Sequence, residues 1–308
     1  MSNKDFPNSY SMFANVYSYM GLPLTRNIDS ADVVVMGIPY DLGTTGRAGT
    51  RHGPQGVRLA SGNLRWEEKR WPWQFSAMDR LQVIDYGDLE FKPSESCSMI
   101  ETVIEHAGAV HAKGKKTLSF GGDHFVTLPL LRAVHEQHGP VALVHFDAHT
   151  DTYTPEYDEP ESYDHGCMFY YAPKEGLVDP DHSIQVGIRT EYDNQSHLFE
   201  VIDAASANDL SSTDVVKAIR QRVGDMPVYL TFDIDCLDPA YAPGTGTPVV
   251  GGITTDRALK IIRGLQGLNI VGADVVEVAP SYDHSEITAL AAATIGLEIL
   301  YVMASEVG

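Results

Sequence analysis

Three short segments hold most of the residues able to do chemistry: Gly121-Gly-Asp-His124, Asp147-Ala-His-Thr-Asp151 and Asp233-Ile-Asp-Cys-Leu-Asp238. Each follows a β-branched run, and in an extended chain residues i and i+2 project to one side. Asp147 with His149, and Asp233 with Asp235, can therefore point together from a strand end. Taken singly, an Asp-x-Asp or a buried His is a turn, a cap or a satisfied core group. Three such segments at strand ends point instead to one shared site. Carboxylates gathered away from water repel one another and lose hydration, a cost that divalent cations offset. His124, His149, Asp147, Asp151, Asp233 and Asp235 offer six ligands, more than one tetrahedral zinc needs. The mixture of oxygen and imidazole suits Mn²⁺ better than the thiolate-rich sites of zinc, and two bridged ions account for it better than one. Cys236 alternates away from Asp235 and reads as core.

Positioning these segments requires a sheet. Buried strands are expected at 32–38, 117–120, 141–146, 228–232 and 270–276, and helical spacing at 96–113, 127–138, 213–223 and 255–265. The alternation predicts an α/β fold: a single three-layer domain with a mostly parallel central sheet flanked by helices, and with ligands collecting at the carboxyl ends of the strands. No fixed repeat or long linker divides the 308 residues, so one domain over 1–308 is expected, with 1–30 an N-terminal extension packing on it. The apolar stretch 289–304, broken by Thr294 and Glu298, is shorter than the ~20 residues that cross a bilayer and reads as a buried helix; no membrane is expected as partner. The loop 152–164 is acidic, aromatic and turn-rich and reads as surface. Gly46 to Pro54 lacks a phosphate-binding pattern and reads as turn chemistry near the site mouth. Trp66, Trp71 and Trp73 read as buried packing.

The 42 Asp and Glu against 22 Lys and Arg give a formal charge of -20, which disfavours nucleic acid as a partner and attracts small cations. Three scattered cysteines make neither a disulfide framework nor a CxxC metal site, and the N-terminus lacks the pattern of a secretion signal, so a cytoplasmic location is expected.

The ordered set Gly121-Gly-Asp-His, Asp147-Ala-His-Thr-Asp and Thr231-Phe-Asp-Ile-Asp-Cys-Leu-Asp-Pro, with Ala242-Pro-Gly-Thr-Gly-Thr-Pro248 and Gly251-Gly252, resembles the ureohydrolases, the family of arginase and agmatinase. The resemblance runs from Gly46-Arg-Ala-Gly-Thr-Arg-His-Gly-Pro54 to Glu277-Val-Ala-Pro280 and the C-terminal helix. It implies an arginase-like fold and two Mn²⁺ per subunit, one held by His124, Asp147, Asp151 and Asp233, the other by Asp147, His149, Asp233 and Asp235. It further implies that His165 shuttles protons and that Glu277 receives the guanidinium; because an amine anion cannot leave, the departing nitrogen must be protonated, and Asp151 is placed to pass on the proton of the attacking water.

Within the family the chain looks most like the bacterial agmatinases, which implies hydrolysis of agmatine, a small cationic guanidino substrate, to putrescine and urea in polyamine biosynthesis by a homotrimer or homohexamer. Two departures stand out. Phe125 replaces the Ser that often follows Gly-Gly-Asp-His, which predicts altered packing with an intact site. Tyr153 stands where arginases carry an Asn that helps receive the substrate carboxylate, which disfavours arginine. The distal ammonium would meet Glu156, Asp158, Glu159, Glu161 or Asp283. The competing readings are another guanidino-compound ureohydrolase, such as guanidinobutyrase or arginase, and a non-catalytic binding homologue.

Overall fold

The computed structural model describes residues 17–67, 69–155 and 163–306. Eight strands form one sheet: β1 Val33–Gly37, β2 Val83–Asp88, β3 Lys116–Phe120, β4 Ala142–Phe146, β5 Ile184–Ile188, β6 Glu200–Asp203, β7 Val228–Asp233 and β8 Ile270–Val276. Their order is β2-β1-β3-β8-β7-β4-β5-β6, and every pairing is parallel. The five strands expected from sequence are all present. β2, β5 and β6 were not anticipated, because β5 is interrupted by Gln185 and Gly187 and β6 is a short, largely solvated edge.

The α-helices are α1 Gly53–Ser61, α2 Ala77–Arg80, α3 Ser96–His111, α4 Thr127–His138, α5 Met168–Lys174, α6 Ala204–Asp209, α7 Ser212–Val223, α8 Thr255–Gly264 and α9 Ile287–Ala304. Alternation along the strands divides them between two faces. Val33 and Val35 of β1 pack in a core with α1, α7, α8 and α9, whereas Val34 and Met36 pack with α3, α4 and α5. The result is a single domain of three layers. Each fully buried Leu, Ile or Val contributes about 1.5–3 kcal/mol, which lets the sheet carry crowded acids at its carboxyl edge. Gly53 and Pro54, read above as turn residues, instead open α1, where Pro fits the first helical turn.

Helix α9 is long and apolar enough to cross a membrane, yet 83% of it is buried in the protein. Its one acid, Glu298, is buried and accepts hydrogen bonds from Arg70 Nε (3.0 Å), Arg263 Nε (3.0 Å) and Trp73 Nε1 (2.6 Å). Trp73 also stacks on Tyr301. Trp66 and Trp71 correct the expectation of buried packing: they are 69% and 77% exposed, whereas Trp73 is buried and donates to Glu298. Ahead of β1, Tyr19 is fully buried and its hydroxyl donates to the Ala293 carbonyl (2.7 Å).

Candidate active site

β3, β8, β7 and β4 lie side by side at the centre of the sheet, and their carboxyl ends deliver the chemistry. After β3 the chain turns through Gly121-Gly122 into a short 3-10 helix that carries His124. A Cβ on Gly122 would stand 1.6 Å from the Tyr40 carbonyl oxygen, so no other residue fits this turn. Asp147 directly follows β4, with His149 and Asp151 in the turn beyond; Asp233 ends β7, with Asp235 on the next turn; Glu277 directly follows β8. Asp151 (φ +51°) and Glu277 (φ +64°) sit in the left-handed region, as strained residues at functional sites often do.

These groups converge. His124 Nδ1 lies 3.0 Å from Asp147 Oδ2, 2.9 Å from Asp151 Oδ2 and 3.3 Å from Asp233 Oδ2. His149 Nδ1 lies 3.3 Å from Asp147 Oδ1 and 3.1 Å from Asp235 Oδ2. Asp147 thus offers one oxygen to each histidine. Asp233 is brought to the His124 side through Oδ2, while its Oδ1 accepts the Asp235 amide (2.7 Å).

Whether the cluster fits metal ions is decided by the His124 proton. Thr231 Oγ1 donates to Asp274 Oδ1 (2.5 Å), so it can only accept from His124 Nε2 (2.8 Å). The ring proton is therefore on Nε2. Nδ1 is a lone pair aimed at three carboxylate oxygens, with no hydrogen-bond partner among the described residues. In the ion-free protein burial opposes a second ring proton there, yet Asp147, Asp151 and Asp233 outweigh it and hold the ring well above its ordinary pKa; a metal ion in place of that proton relieves the same crowding. The donor separations of 2.9–3.3 Å also match the edge of a coordination shell with bonds of about 2.1 Å at right angles, roughly 3.0 Å.

The electrostatics agree. Burial, then the neighbouring Asp235 and Asp147 charges, holds Asp233 well above the usual carboxylate range; burial and then Asp147 push Asp151 up to about 7. Burial opposes charge on His149, yet Asp147 and Asp235 outweigh it and push the ring up to about 12. Asp147 goes the other way: despite burial, His145, His124 and His149 hold it well below the ordinary range. Without an ion, the cluster retains protons where positive charge is required.

Glu277 and His165 form a second unit beside the cluster. Glu277 is fully buried; its Oε1 accepts the His124 amide (2.8 Å) and lies 2.7 Å from His165 Nδ1, while Oε2 has no partner among the described residues. The Thr45 amide, which can only donate, faces His165 Nε2 at 3.0 Å, and the Thr45 hydroxyl lies 2.7 Å from it. Burial opposes a second ring proton and Glu277 favours it strongly enough to push the pKa up to about 10. The amide facing Nε2 nevertheless fixes the neutral ring with its proton on Nδ1, because two N–H groups cannot face each other without a partner.

A cavity of about 210 Å³ opens onto these groups, lined by Thr45, His149, Asp151, Tyr153, Asp164, His165, Gly166, Asp233 and Thr247. Of the eight site residues expected from sequence, His149, Asp151, Asp233 and His165 line it, while His124, Asp147, Asp235 and Glu277 lie behind them, each in contact with a lining residue. Tyr153 is in its wall. Phe125 is buried against Tyr40 and Tyr163, and Cys236 is core. Asp283 holds the start of α9: its carboxylate accepts the amides of Thr288 and Ala289 (both 2.9 Å). Glu156, Asp158, Glu159 and Glu161 lie outside the described residues.

The sequence reading missed the layer beneath. Register aligns Asp274, Thr231, His145 and Gln185 in one row across β8, β7, β4 and β5. Burial, working against Asp147, pushes His145 down to about 4, so that ring is neutral. The available signal was a polar residue at the same register in each of several apolar strands.

Fold and site together define an α/β enzyme class in which a buried carboxylate–imidazole cluster fits two metal ions. The chain belongs to the arginase family, whose sequence profile matches residues 31–301, and is a hydrolase of guanidino compounds. It is similar to the agmatinase of Serratia proteamaculans (strain 568), 58% identical over 308 residues covering 99% of each chain. Among solved structures it is similar to a hypothetical agmatinase from Burkholderia thailandensis, with a TM-score of 0.92 and 48% identity over 96% of this chain and 92% of that one. It is also similar to proclavaminate amidino hydrolase from Streptomyces clavuligerus, with a TM-score of 0.90 and 38% identity over 96% and 99%.

Proposed function

We propose that the chain is an agmatinase, hydrolysing agmatine to putrescine and urea with two Mn²⁺ ions, in polyamine biosynthesis. The observation that carries this reading is the 58% identity to an agmatinase over essentially the whole of both chains. In this reading His124, Asp147, Asp151 and Asp233 hold one ion, and Asp147, His149 and Asp235 hold the other with Asp233. When bound, such a pair of ions lowers the pKa of a water from about 15.7 towards neutrality and positions it for attack on the guanidinium carbon.

The chain's own residues do the rest. Glu277 presents its free Oε2 to the guanidinium N–H groups, a charge-assisted contact that sets the planar group edge-on. Agmatine dication and water give urea and putrescine dication, so both protons of the water end on the departing nitrogen and none is released. Asp151, which lines the cavity and lies 2.9 Å from His124 Nδ1, is placed to take and return one proton. His165 and Thr45 relay the other. Tyr153 in the cavity wall supports a substrate without a carboxylate at its far end.

Urea release from agmatine, arginine and 4-guanidinobutyrate, measured with Mn²⁺ added back after chelation, tests the reading. Agmatine is expected to give the highest kcat/KM; arginine as the best substrate overturns it. The homotrimer or homohexamer inferred from the family resemblance is tested by light scattering on the eluted protein.

A further inference from the structure

His145 is buried on β4 and is used by none of the steps above, yet both its ring nitrogens are occupied. Its Nε2 lies 2.7 Å from Asp147 Oδ2, near enough to group with His124, Asp147 and Asp151 around an ion, and its Nδ1 lies 2.9 Å from Gln185 Nε2; the direction of the bonds decides its role. The direction of these bonds follows from one carbonyl. Gln185 Nε2 is also 2.7 Å from the Thr150 carbonyl oxygen, which can only accept; the amide therefore has its NH₂ on that side. Its two hydrogens serve Thr150 O and His145 Nδ1. Gln185 Oε1, on the other side, accepts from His197 Nε2 (2.8 Å).

With Nδ1 an acceptor, the His145 proton must be on Nε2, where it is donated to Asp147 Oδ2. The other oxygen of Asp147 accepts the His149 amide (2.6 Å), so the carboxylate is held from both sides. Asp147 is also the residue that offers an oxygen to each of the two histidine clusters, so its rotation would disturb both.

We infer that His145 is a positioning residue: the chain His197–Gln185–His145 locks its tautomer and so fixes the Asp147 carboxylate between the two metal sites. The inference rests on the two-ion reading of the site, and the wild type's own Mn²⁺ binding tests that reading separately.

Two substitutions separate positioning from packing. The His145 ring also packs on Phe169 and His124, with centroids at 4.6 and 5.2 Å. His145→Phe keeps a ring and removes the donor; His145→Gln loses the ring and keeps an N–H near the position of Nε2. Mn²⁺ dissociation constants are measured by competition with a chelating indicator, beside the Tm of the ion-free proteins. Loss of a group that orients a metal ligand typically weakens binding about 10- to 100-fold, which is expected for His145→Phe, with His145→Gln within about threefold of wild type. A purely structural role predicts the reverse order, with affinity following the ion-free Tm. Wild-type affinity in His145→Phe, or equal losses in both variants, overturns the inference. Gln185→Met, which touches none of the proposed ligands, is expected to weaken Mn²⁺ about tenfold by releasing the tautomer. It decides the matter if His145→Phe does not fold: unchanged affinity in Gln185→Met overturns the inference.

Discussion

Glu277→Gln isolates the contact that would hold the guanidinium. In the wild type Oε1 is tied to the His124 amide and to His165 Nδ1, leaving Oε2 as a buried, unpartnered acceptor. A glutamine must place its carbonyl oxygen where Oε1 was, because the His124 amide can only donate. Its NH₂ then faces the guanidinium N–H groups, so the variant loses the charge and also points donor at donor. Removing one member of a buried, hydrogen-bonded charge pair costs about 3–5 kcal/mol, and at about 1.36 kcal/mol per decade kcat/KM should fall roughly 150- to 5000-fold. Glu277 is not among the proposed ligands, so metal content should be unchanged. The assay is urea release from agmatine over a range of concentrations, with metal counted in the same samples. A fall of less than about tenfold with full metal would refute the role, and so would a loss that merely tracks lost metal.

Two further outcomes follow. In the ion-free protein Asp151 has a pKa of about 7 against an ordinary 3.8, so its contribution to stability is complete below pH 3.8 and is lost as the pH rises to about 7. Binding an ion must expel that proton, and the rise in Tm on adding Mn²⁺ should be small at pH 5 and grow through pH 8; a rise independent of pH in scanning fluorimetry contradicts this. Glu298→Gln removes the countercharge of Arg70 and Arg263, each 21% exposed, and should cost about 3 kcal/mol in urea unfolding, the low end of the range for a broken buried pair because both guanidiniums reach water. Its kcat/KM should stay at the wild-type value, and a stability loss below about 1 kcal/mol contradicts the assignment.

How much was legible in the sequence depended on whether each residue declared itself locally. β1, β3, β4, β7 and β8 are buried almost throughout and read as β-branched, mostly apolar runs despite inner polar residues such as His145, Thr231 and Asp274, and the acids at their ends are conspicuous for that reason. α4 was read with its observed bounds, and α3, α7 and α8 within two residues of theirs. β6 escaped because an edge strand with exposed Glu200 and Asp203 lacks that signature, and α5 because Pro173 interrupts it. The site residues were legible as types at strand ends, but their partners were not. His145 and Gln185 are 40 positions apart and meet only because β4 and β5 pair in that register. Thr45 meets His165 across 120 positions, a contact set by loops that no periodicity encodes.

The central claim is that two ions share Asp147, one on the His124 side and one on the His149 side. Anomalous diffraction from crystals of the Mn²⁺-loaded protein tests it directly. Two peaks are expected, about 3.5–4 Å apart, each within bonding distance of a different oxygen of Asp147. A fully active, loaded protein showing a single peak, or peaks away from Asp147, contradicts the account.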